Sequence, residues 1–113
     1  MELDLSFIKE QVSNDPSFIA DLLNVFLKEL DKDVSALDAA IASEEHERIR
    51  LSAHKVKSGF RSLGMKNMTA YLQELEDMGR HRQEMALIRN KHNGFKQLLP
   101  GAINEVQEVL SGK

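Results

Sequence analysis

Apolar residues recur at every third or fourth position along almost the whole chain, a pattern typical of amphipathic helices. The longest uninterrupted pattern consists of Ile19, Leu22, Leu23, Phe26, Leu30, Val34, Leu37 and Ile41. Asp15 followed by Pro16 is typical of an N-cap residue and a first helical residue. The pattern therefore predicts one long helix from about Pro16 to Ala42.

Shorter amphipathic patterns lie on both sides of this helix. The first runs from Leu3 to Val12. Another follows a turn at residues 43–45 and is expected to end at Gly64, in the C′ position. A third runs from about Asn67 to Gly79 and leads into a loop at residues 80–83. Each predicts a helix with one apolar face.

The last apolar stretch, residues 85–110, contains two pairs that disfavour an uninterrupted helix, Asn93-Gly94 and Pro100-Gly101. The helical spacing nevertheless continues through Pro100. We therefore predict helix on both sides of this proline, with a kink near it.

These elements predict the fold class. The chain shows no strand pattern, internal repeat, low-complexity tract or linker, and 113 residues suffice for one core but not for two. Amphipathic helices with short connections bury their apolar faces most simply against one another. We predict an all-α, antiparallel four-helix bundle with a short additional N-terminal helix, in a single domain over residues 1–113.

Composition and charge narrow the classes of function. The chain has no cysteine, which excludes disulfides and thiolate chemistry, and its net charge of −3 argues against general binding of nucleic acid. No apolar run approaches the roughly 20 residues that span a bilayer, so we expect no membrane segment. The absence of cysteine fits a cytoplasmic protein, which we expect. Acids dominate from Asp31 to Glu47, whereas the only charged residues from Arg48 to Lys66 are basic: Arg48, Arg50, Lys55, Lys57, Arg61 and Lys66. Such a run is either a solvated helix face or a surface for an anionic partner.

The basic run includes a histidine with unusual neighbours. Its helix has an apolar stripe made of Ile49, Ala53, Val56, Phe60 and Leu63. His54 lies off the axis of this stripe, with Lys57 and Ser58 one turn later on the same surface. A lone helical histidine is most often structural or simply exposed. A histidine beside a lysine expected to be exposed and a small residue is instead an unusual combination, and it suggests that the helix presents this imidazole at the surface for a function.

At these residues the sequence resembles the histidine-containing phosphotransfer (HPt) domains of multistep phosphorelays. The family pattern is roughly His-x-x-Lys-Gly-(Ser/Ala)-(small)-x-x-(aliphatic)-Gly, and His54, Lys57, Leu63 and Gly64 fall at matching positions. The resemblance continues into residues 75–80 and covers nearly the whole chain. Two residues depart from the pattern, since Ser58 replaces a glycine and Phe60 stands where a small residue is usual.

The chemistry of phosphoryl transfer suggests roles for the residues around His54. A neutral imidazole is a competent nucleophile near neutral pH, and a lysine one turn away can pair with the phosphoryl oxygens. Lys57 is therefore the predicted charge partner, and the small side chain of Ser58 leaves room for another protein's active site. The predicted partner-binding surface comprises Ser58, Lys55, Arg61, Arg50 and Leu51.

Three further residues are expected to support the site, two of them because of the resemblance and one because of its helix propensity. The resemblance implies that Glu76, on the following helix, hydrogen-bonds the ring nitrogen that is not phosphorylated, and that Arg80 places a basic group near the histidine. Gly59 costs roughly 0.5–1 kcal/mol inside a helix relative to alanine, so we expect a neighbouring helix or a partner to approach it closely. We predict no metal site, and we expect His46, His81 and His92 to be surface residues.

The chain contains no glycine-rich nucleotide loop and no acidic cluster arranged for magnesium. The phosphoryl group must then come from one partner and pass to another, so we expect a phosphocarrier without a cofactor rather than an autonomous enzyme. The resemblance implies that the partners are response-regulator receiver domains, whose phospho-accepting aspartate binds magnesium, and a hybrid sensor histidine kinase. We expect a monomer.

Two other interpretations of the sequence remain open. One is the dimerisation helix pair of a histidine kinase, although that family normally has an acidic residue where Lys55 follows the histidine here. A stable dimer in solution would favour it. The other is a bundle that binds receiver domains without transferring phosphate, with Ser58 and Phe60 as marks of lost transfer. Uptake of phosphate that is absent in His54→Ala would exclude it.

Overall fold

The computed structural model describes residues 2–112, and within that range it contains five helices and no strand. They are α1 (Leu5–Gln11), α2 (Pro16–Ala42), α3 (His46–Ser62), α4 (Lys66–Arg80) and α5 (Met85–Leu110). The prediction of an all-α fold is confirmed. α2 packs against α3, α3 against α4, α4 against α5 and α5 against α2, so the four long helices surround one core. The three- and four-residue connections are those expected of antiparallel neighbours.

The helix ends follow from local hydrogen bonds. The carboxylate of Asp15 accepts a hydrogen bond from Ser17 N at 3.0 Å, with Pro16 as the first helical residue of α2, as predicted. Gly64 follows the end of α3 with φ of 70°, and the Gly64 and Met65 amides donate to the carbonyls of Arg61 and Phe60. This is the Schellman arrangement, so the predicted C′ role of Gly64 is confirmed.

The N-terminal helix covers the turn between α3 and α4. Ile8 is fully buried, and a side chain at Gly64 would meet Asp4 and Phe7 at 3.1 Å. The Asp4 amide also donates to the carbonyl of Leu63 at 3.3 Å. α1 therefore closes one end of the bundle.

The last helix is continuous through Pro100, and helix on both sides of this residue is confirmed. Pro100 itself is exposed, whereas Phe95, Leu99, Ala102 and Val106 carry one buried stripe across it. Packing of that stripe against the core offsets the backbone hydrogen bond that proline cannot donate. None of the helices over residues 2–112 is long and apolar enough to cross a membrane.

α3 and α4 come close enough at one point for their backbones to touch. A β-carbon at Gly79 would lie 2.9 Å from Arg50 N and 3.0 Å from His46 O, and both of these atoms belong to the backbone of α3. Gly79 is thus the residue that permits this approach. Since His54 lies on α3 and Glu76 on α4, the approach sets the spacing between these two residues.

This approach predicts opposite effects for two glycine-to-alanine substitutions. We expect Gly79→Ala to lower the free energy of unfolding by about 1–3 kcal/mol, because the helices must move apart. Gly101→Ala, also inside a helix, meets nothing within 4 Å and should raise it by about 0.5–1 kcal/mol. Urea unfolding of both variants measures the difference. Shifts of the same sign would contradict the close approach.

Candidate functional site

α3 presents His54 at the border between its buried and exposed faces. Ile49, Ala53 and Phe60 are fully buried, and Val56 is 1% exposed. The His54 side chain, one position from this stripe, is 52% exposed. One edge of its imidazole reaches inward toward α4, and about half of the side-chain surface is open to solvent.

The inward edge of the imidazole meets a buried carboxylate. Glu76 on α4 has a side chain that is 4% exposed, and its Oε1 lies 3.0 Å from His54 Nδ1. The same Oε1 lies 3.0 Å from Lys57 Nζ, and Oε2 accepts a hydrogen bond from Arg80 Nη2 at 2.9 Å. Both oxygens of Glu76 are therefore occupied, and the contact with His54 is the one that the resemblance implied.

The contact with Glu76 selects one tautomer of the imidazole. An ionised carboxylate has no proton to donate, so Nδ1 must carry the proton and donate it. In the neutral ring Nε2 then holds the free lone pair. The unprotonated nitrogen of His54 is thus Nε2, the ring nitrogen that does not contact Glu76.

Opposing effects act on the protonation of Glu76. Burial raises the pKa of its carboxyl, but hydrogen bonds from Lys57 and His54 outweigh burial and hold that pKa below its usual value of 4.5. The carboxylate is therefore ionised at neutral pH. It remains an acceptor for the imidazole throughout the physiological range.

The lowered pKa of Glu76 predicts a dependence of stability on pH. Because the folded pKa lies below the unfolded one, the folded state binds fewer protons, and the stabilisation is complete above about pH 4.5. It is lost as the pH falls through the folded pKa. We expect the free energy of unfolding to fall more steeply below pH 4.5 in the wild type than in Glu76→Gln. Parallel curves from urea unfolding at several pH values would contradict this.

Lys57 corrects the sequence prediction. Its side chain was expected to be exposed, but it is 6% exposed, so that prediction is wrong. Lys57 lies one position after Val56 and four after Ala53, which places it on the inner side of α3. Its ammonium donates to Gln73 Oε1 at 2.7 Å and pairs with Glu76. In this structure Lys57 is the partner of a buried carboxylate.

The predicted partner-binding residues lie around His54 with different exposures. Leu51 is 53% exposed, Arg61 is exposed and Ser58 is partly buried. The Lys55 side chain is 69% exposed and its Nζ lies 3.3 Å from Asp33 on α2, while Arg50 pairs with Glu47. The run of basic residues in the sequence is therefore partly neutralised by acids from elsewhere in the chain.

The two departures from the family pattern have different surroundings. Ser58 Oγ donates to the carbonyl of His54 at 3.0 Å and adds little bulk. Phe60 is fully buried, with its ring edge-on to Phe26 at 5.4 Å between centroids. A β-carbon at Gly59 would lie 3.2 Å from Phe26, so the neighbour predicted for Gly59 is α2. Because Phe60 is buried, its ring does not contribute to the exposed surface around His54.

The other histidines differ from one another. His81 is exposed, as predicted, and His46 is partly buried, with Nε2 2.8 Å from the carbonyl of Gln83. The surface prediction is wrong for His92, whose side chain is 14% exposed and whose Nε2 lies 2.6 Å from Asp38. Within residues 2–112 no three His, Cys, Asp or Glu side chains are grouped so that they could hold a metal ion.

Two residues of the site, Gln73 and Asp77, were not predicted from the sequence. Gln73 accepts from Lys57, and its amide nitrogen donates to Asp77 Oδ1 at 3.1 Å. Arg80, predicted only as a nearby cation, donates to Asp77 at 2.7 Å as well as to Glu76. Residues 73, 76, 77 and 80 share one helical face, and this spacing was the available signal.

Comparison with known proteins identifies the domain type. A model of the Hpt domain family matches residues 21–109, which include α3, α4, most of α2 and nearly all of α5. No curated protein and no solved structure matches the chain.

Proposed function

The chain belongs to the Hpt domain family, whose members take part in histidine-containing phosphotransfer in two-component signalling, and on that premise we propose that His54 is its phosphoryl-accepting residue. The observation that carries the proposal is the hydrogen bond from His54 Nδ1 to the buried Glu76 carboxylate, 3.0 Å long. It leaves Nε2 as the nucleophile on an imidazole that is 52% exposed. His46, His81 and His92 have no such arrangement with a buried carboxylate.

The proposed reaction passes a phosphoryl group between two proteins. The Nε2 lone pair forms a bond to phosphorus while the bond from phosphorus to the partner's aspartate oxygen breaks, and the aspartate leaves as a carboxylate with the electron pair. The ring keeps its Nδ1 proton and becomes positively charged, which the ionised Glu76 stabilises. Transfer to the next aspartate reverses these bond changes. The domain is therefore a phosphocarrier and takes no nucleotide.

The surroundings of His54 support docking of receiver domains. A groove of about 150 Å³ lies between α2 and α3, and its lining includes Val25, Gly59 and Ser62. Val25 is 58% exposed. Exposed basic groups at Lys55 and Arg61 complement the acidic pocket of a receiver domain. That pocket binds magnesium, so we expect the metal on the partner and not on this protein. We propose receiver domains and a hybrid sensor histidine kinase as partners, in the cytoplasm.

The first experiment follows phosphate from donor to carrier. A receiver domain phosphorylated on its aspartate is mixed with this protein and magnesium, and labelled phosphate is followed on both chains. We expect the label to leave the receiver and appear on this protein. Binding of the receiver without any transfer would favour the adaptor that only binds receiver domains.

The oligomeric state distinguishes the proposed phosphocarrier from the dimerisation helix pair of a histidine kinase. The apolar stripe of α3 is already covered by α2 and α4 of the same chain, which supports a monomer. We expect sedimentation to give the mass of one chain. A stable dimer would favour the kinase reading.

Bulk at Ser58 should weaken docking of the receiver. We expect Ser58→Phe to raise the Kd for a receiver domain about tenfold, since a large ring one turn from His54 holds the two proteins apart. The control is Ser35→Phe. Ser35 is an exposed residue of α2 and lines a different groove, which lies between α2 and α5. Titration calorimetry compares the two. Equal Kd values would remove Ser58 from the docking surface.

A further inference from the structure

Five side chains beneath His54 form a closed ring of hydrogen bonds and ion pairs. Lys57 forms an ion pair with Glu76 and donates to Gln73, and Gln73 donates to Asp77. Arg80 then joins Asp77 to Glu76, with bonds of 2.7 and 2.9 Å. The ring contains two cations, two carboxylates and one neutral amide. Its formal charge is therefore balanced.

Gln73 is the neutral link, and its orientation is fixed by its two neighbours. Its oxygen accepts from the Lys57 ammonium at 2.7 Å, and its nitrogen donates to the Asp77 carboxylate at 3.1 Å. Reversing the amide would place its NH₂ against an ammonium and its oxygen against a carboxylate. An amide suits this position because it both accepts and donates, which a carboxylate, an ammonium or an apolar side chain does not.

The ring reaches the imidazole through a single oxygen. His54 Nδ1 and Lys57 Nζ both lie 3.0 Å from Glu76 Oε1, so they share one acceptor. The second acceptor of Lys57, on Gln73, holds the ammonium to one side of that oxygen. Without it, the ammonium has only Glu76 as a partner and competes with the imidazole for Oε1.

We propose that Gln73 is a positioning residue, which holds Lys57 so that Glu76 Oε1 stays available to His54 Nδ1 and the imidazole keeps its lone pair on Nε2. This inference deepens the proposed function and rests on it for its catalytic meaning. The effect on the imidazole, however, exists in the unphosphorylated protein. It can be measured whether or not phosphate is transferred.

The test is Gln73→Met, which keeps the length of the side chain and removes both hydrogen-bonding groups. Nitrogen-15 NMR of the imidazole reports which ring nitrogen carries the proton. In the wild type we expect His54 to be almost entirely protonated on Nδ1 when neutral, and in Gln73→Met a mixture of tautomers. The single-turnover rate of phosphoryl uptake should fall about tenfold, the lower end for loss of a residue that supports a reacting group indirectly.

Two further variants separate positioning from general packing. Gln73→Glu removes the donor to Asp77 but restores an acceptor for Lys57. It should therefore return the tautomer to Nδ1–H, which a purely structural role would not require. Gln97→Met, at an exposed position of α5, should change neither the tautomer nor the rate. An unchanged tautomer in Gln73→Met would overturn the proposal. A changed tautomer in a protein that takes up no phosphate, wild type included, would support the positioning and refute the proposed function.

A measurement on the wild type covers the case in which Gln73→Met does not fold. The Lys57 ammonium, with two acceptors and little exposure, should exchange its protons slowly enough to be seen by NMR. The exposed Lys55 ammonium should not. Equally fast exchange of both would show that Gln73 does not hold Lys57, and the proposal would fall.

Discussion

Lys57→Ala is expected to lower the free energy of unfolding by about 3 kcal/mol, a large part of the stability of a domain of this size. The substitution leaves the Glu76 carboxylate buried without its ammonium partner, and Gln73 without a donor. Arg80 still pairs with the other carboxylate oxygen, which places the effect at the lower end for a broken buried pair. The loss of the buried lysine stem adds to it. Urea unfolding at pH 7 measures the change.

The matched control is Lys55→Ala, two residues away on the same helix. Its side chain is 69% exposed and it pairs with Asp33 at the surface. We expect a change below about 1 kcal/mol, as is usual for exposed ion pairs. Two equally small changes would mean that Lys57 is exposed in solution. Lys57 would then be free to meet a phosphoryl group directly, as the sequence pattern first suggested.

Glu76→Ala is expected to slow phosphoryl uptake about 10- to 100-fold, the effect typical of removing a group that orients a reacting imidazole. Without the carboxylate, nothing fixes the proton on Nδ1, and the positive charge that the ring gains on phosphorylation has no nearby anion. Single-turnover mixing with a phosphorylated receiver domain gives the rate. Glu76→Ala also removes a partner of the buried Lys57 and should therefore lower the stability of the protein. The rates are compared at a temperature where circular dichroism shows the variant to be folded.

Glu74→Ala provides the comparison on the same helix. Glu74 has a 62% exposed side chain and pairs with Lys91 on α5, away from the imidazole. Its loss should leave the rate of uptake unchanged within about twofold. A folded Glu76→Ala protein with the wild-type rate would show that the carboxylate does not assist the transfer.

Helix ends could be predicted where the signal is local. Asp15, Pro16 and Gly64 are recognised by residue type alone, because each satisfies or avoids backbone hydrogen bonds within one turn. The ends of α2 and α4 have the same Schellman bonds, but Glu44 and Arg82 occupy the positions with positive φ, at 56° and 51°. Neither residue type indicates a left-handed turn, so the apolar spacing alone located these ends.

The continuity of α5 depends on packing between helices. Residue types at Asn93-Gly94 and Pro100-Gly101 favour breaks in an isolated helix. The buried stripe on both sides of Pro100, together with the exposure of the proline, decides in favour of helix. Tertiary burial is the larger effect, as it usually is over local propensity.

The location of the site could be predicted from the sequence, but the hydrogen bonds and ion pairs around the histidine could not. The position of His54 on its helix and the resemblance pointed to the histidine and to Glu76. The burial of Lys57 depends on which side chains α4 brings opposite α3, and this depends on the contact at Gly79. A lysine is almost always exposed unless it is paired, so the expectation failed where the pairing was formed by another helix. Gln73 and Asp77 escaped notice for the same reason.

The most direct test of phosphoryl transfer to His54 is the intact mass of the protein after mixing with a phosphorylated receiver domain and magnesium, with His54→Ala alongside. Because the His54 side chain is 52% exposed, the alanine variant should fold normally. We expect the wild type to gain the mass of one phosphoryl group, in a form that is lost in acid and kept in base, and we expect no gain in His54→Ala. An equal gain in both proteins would place the phosphate on another residue and contradict the proposed role of His54.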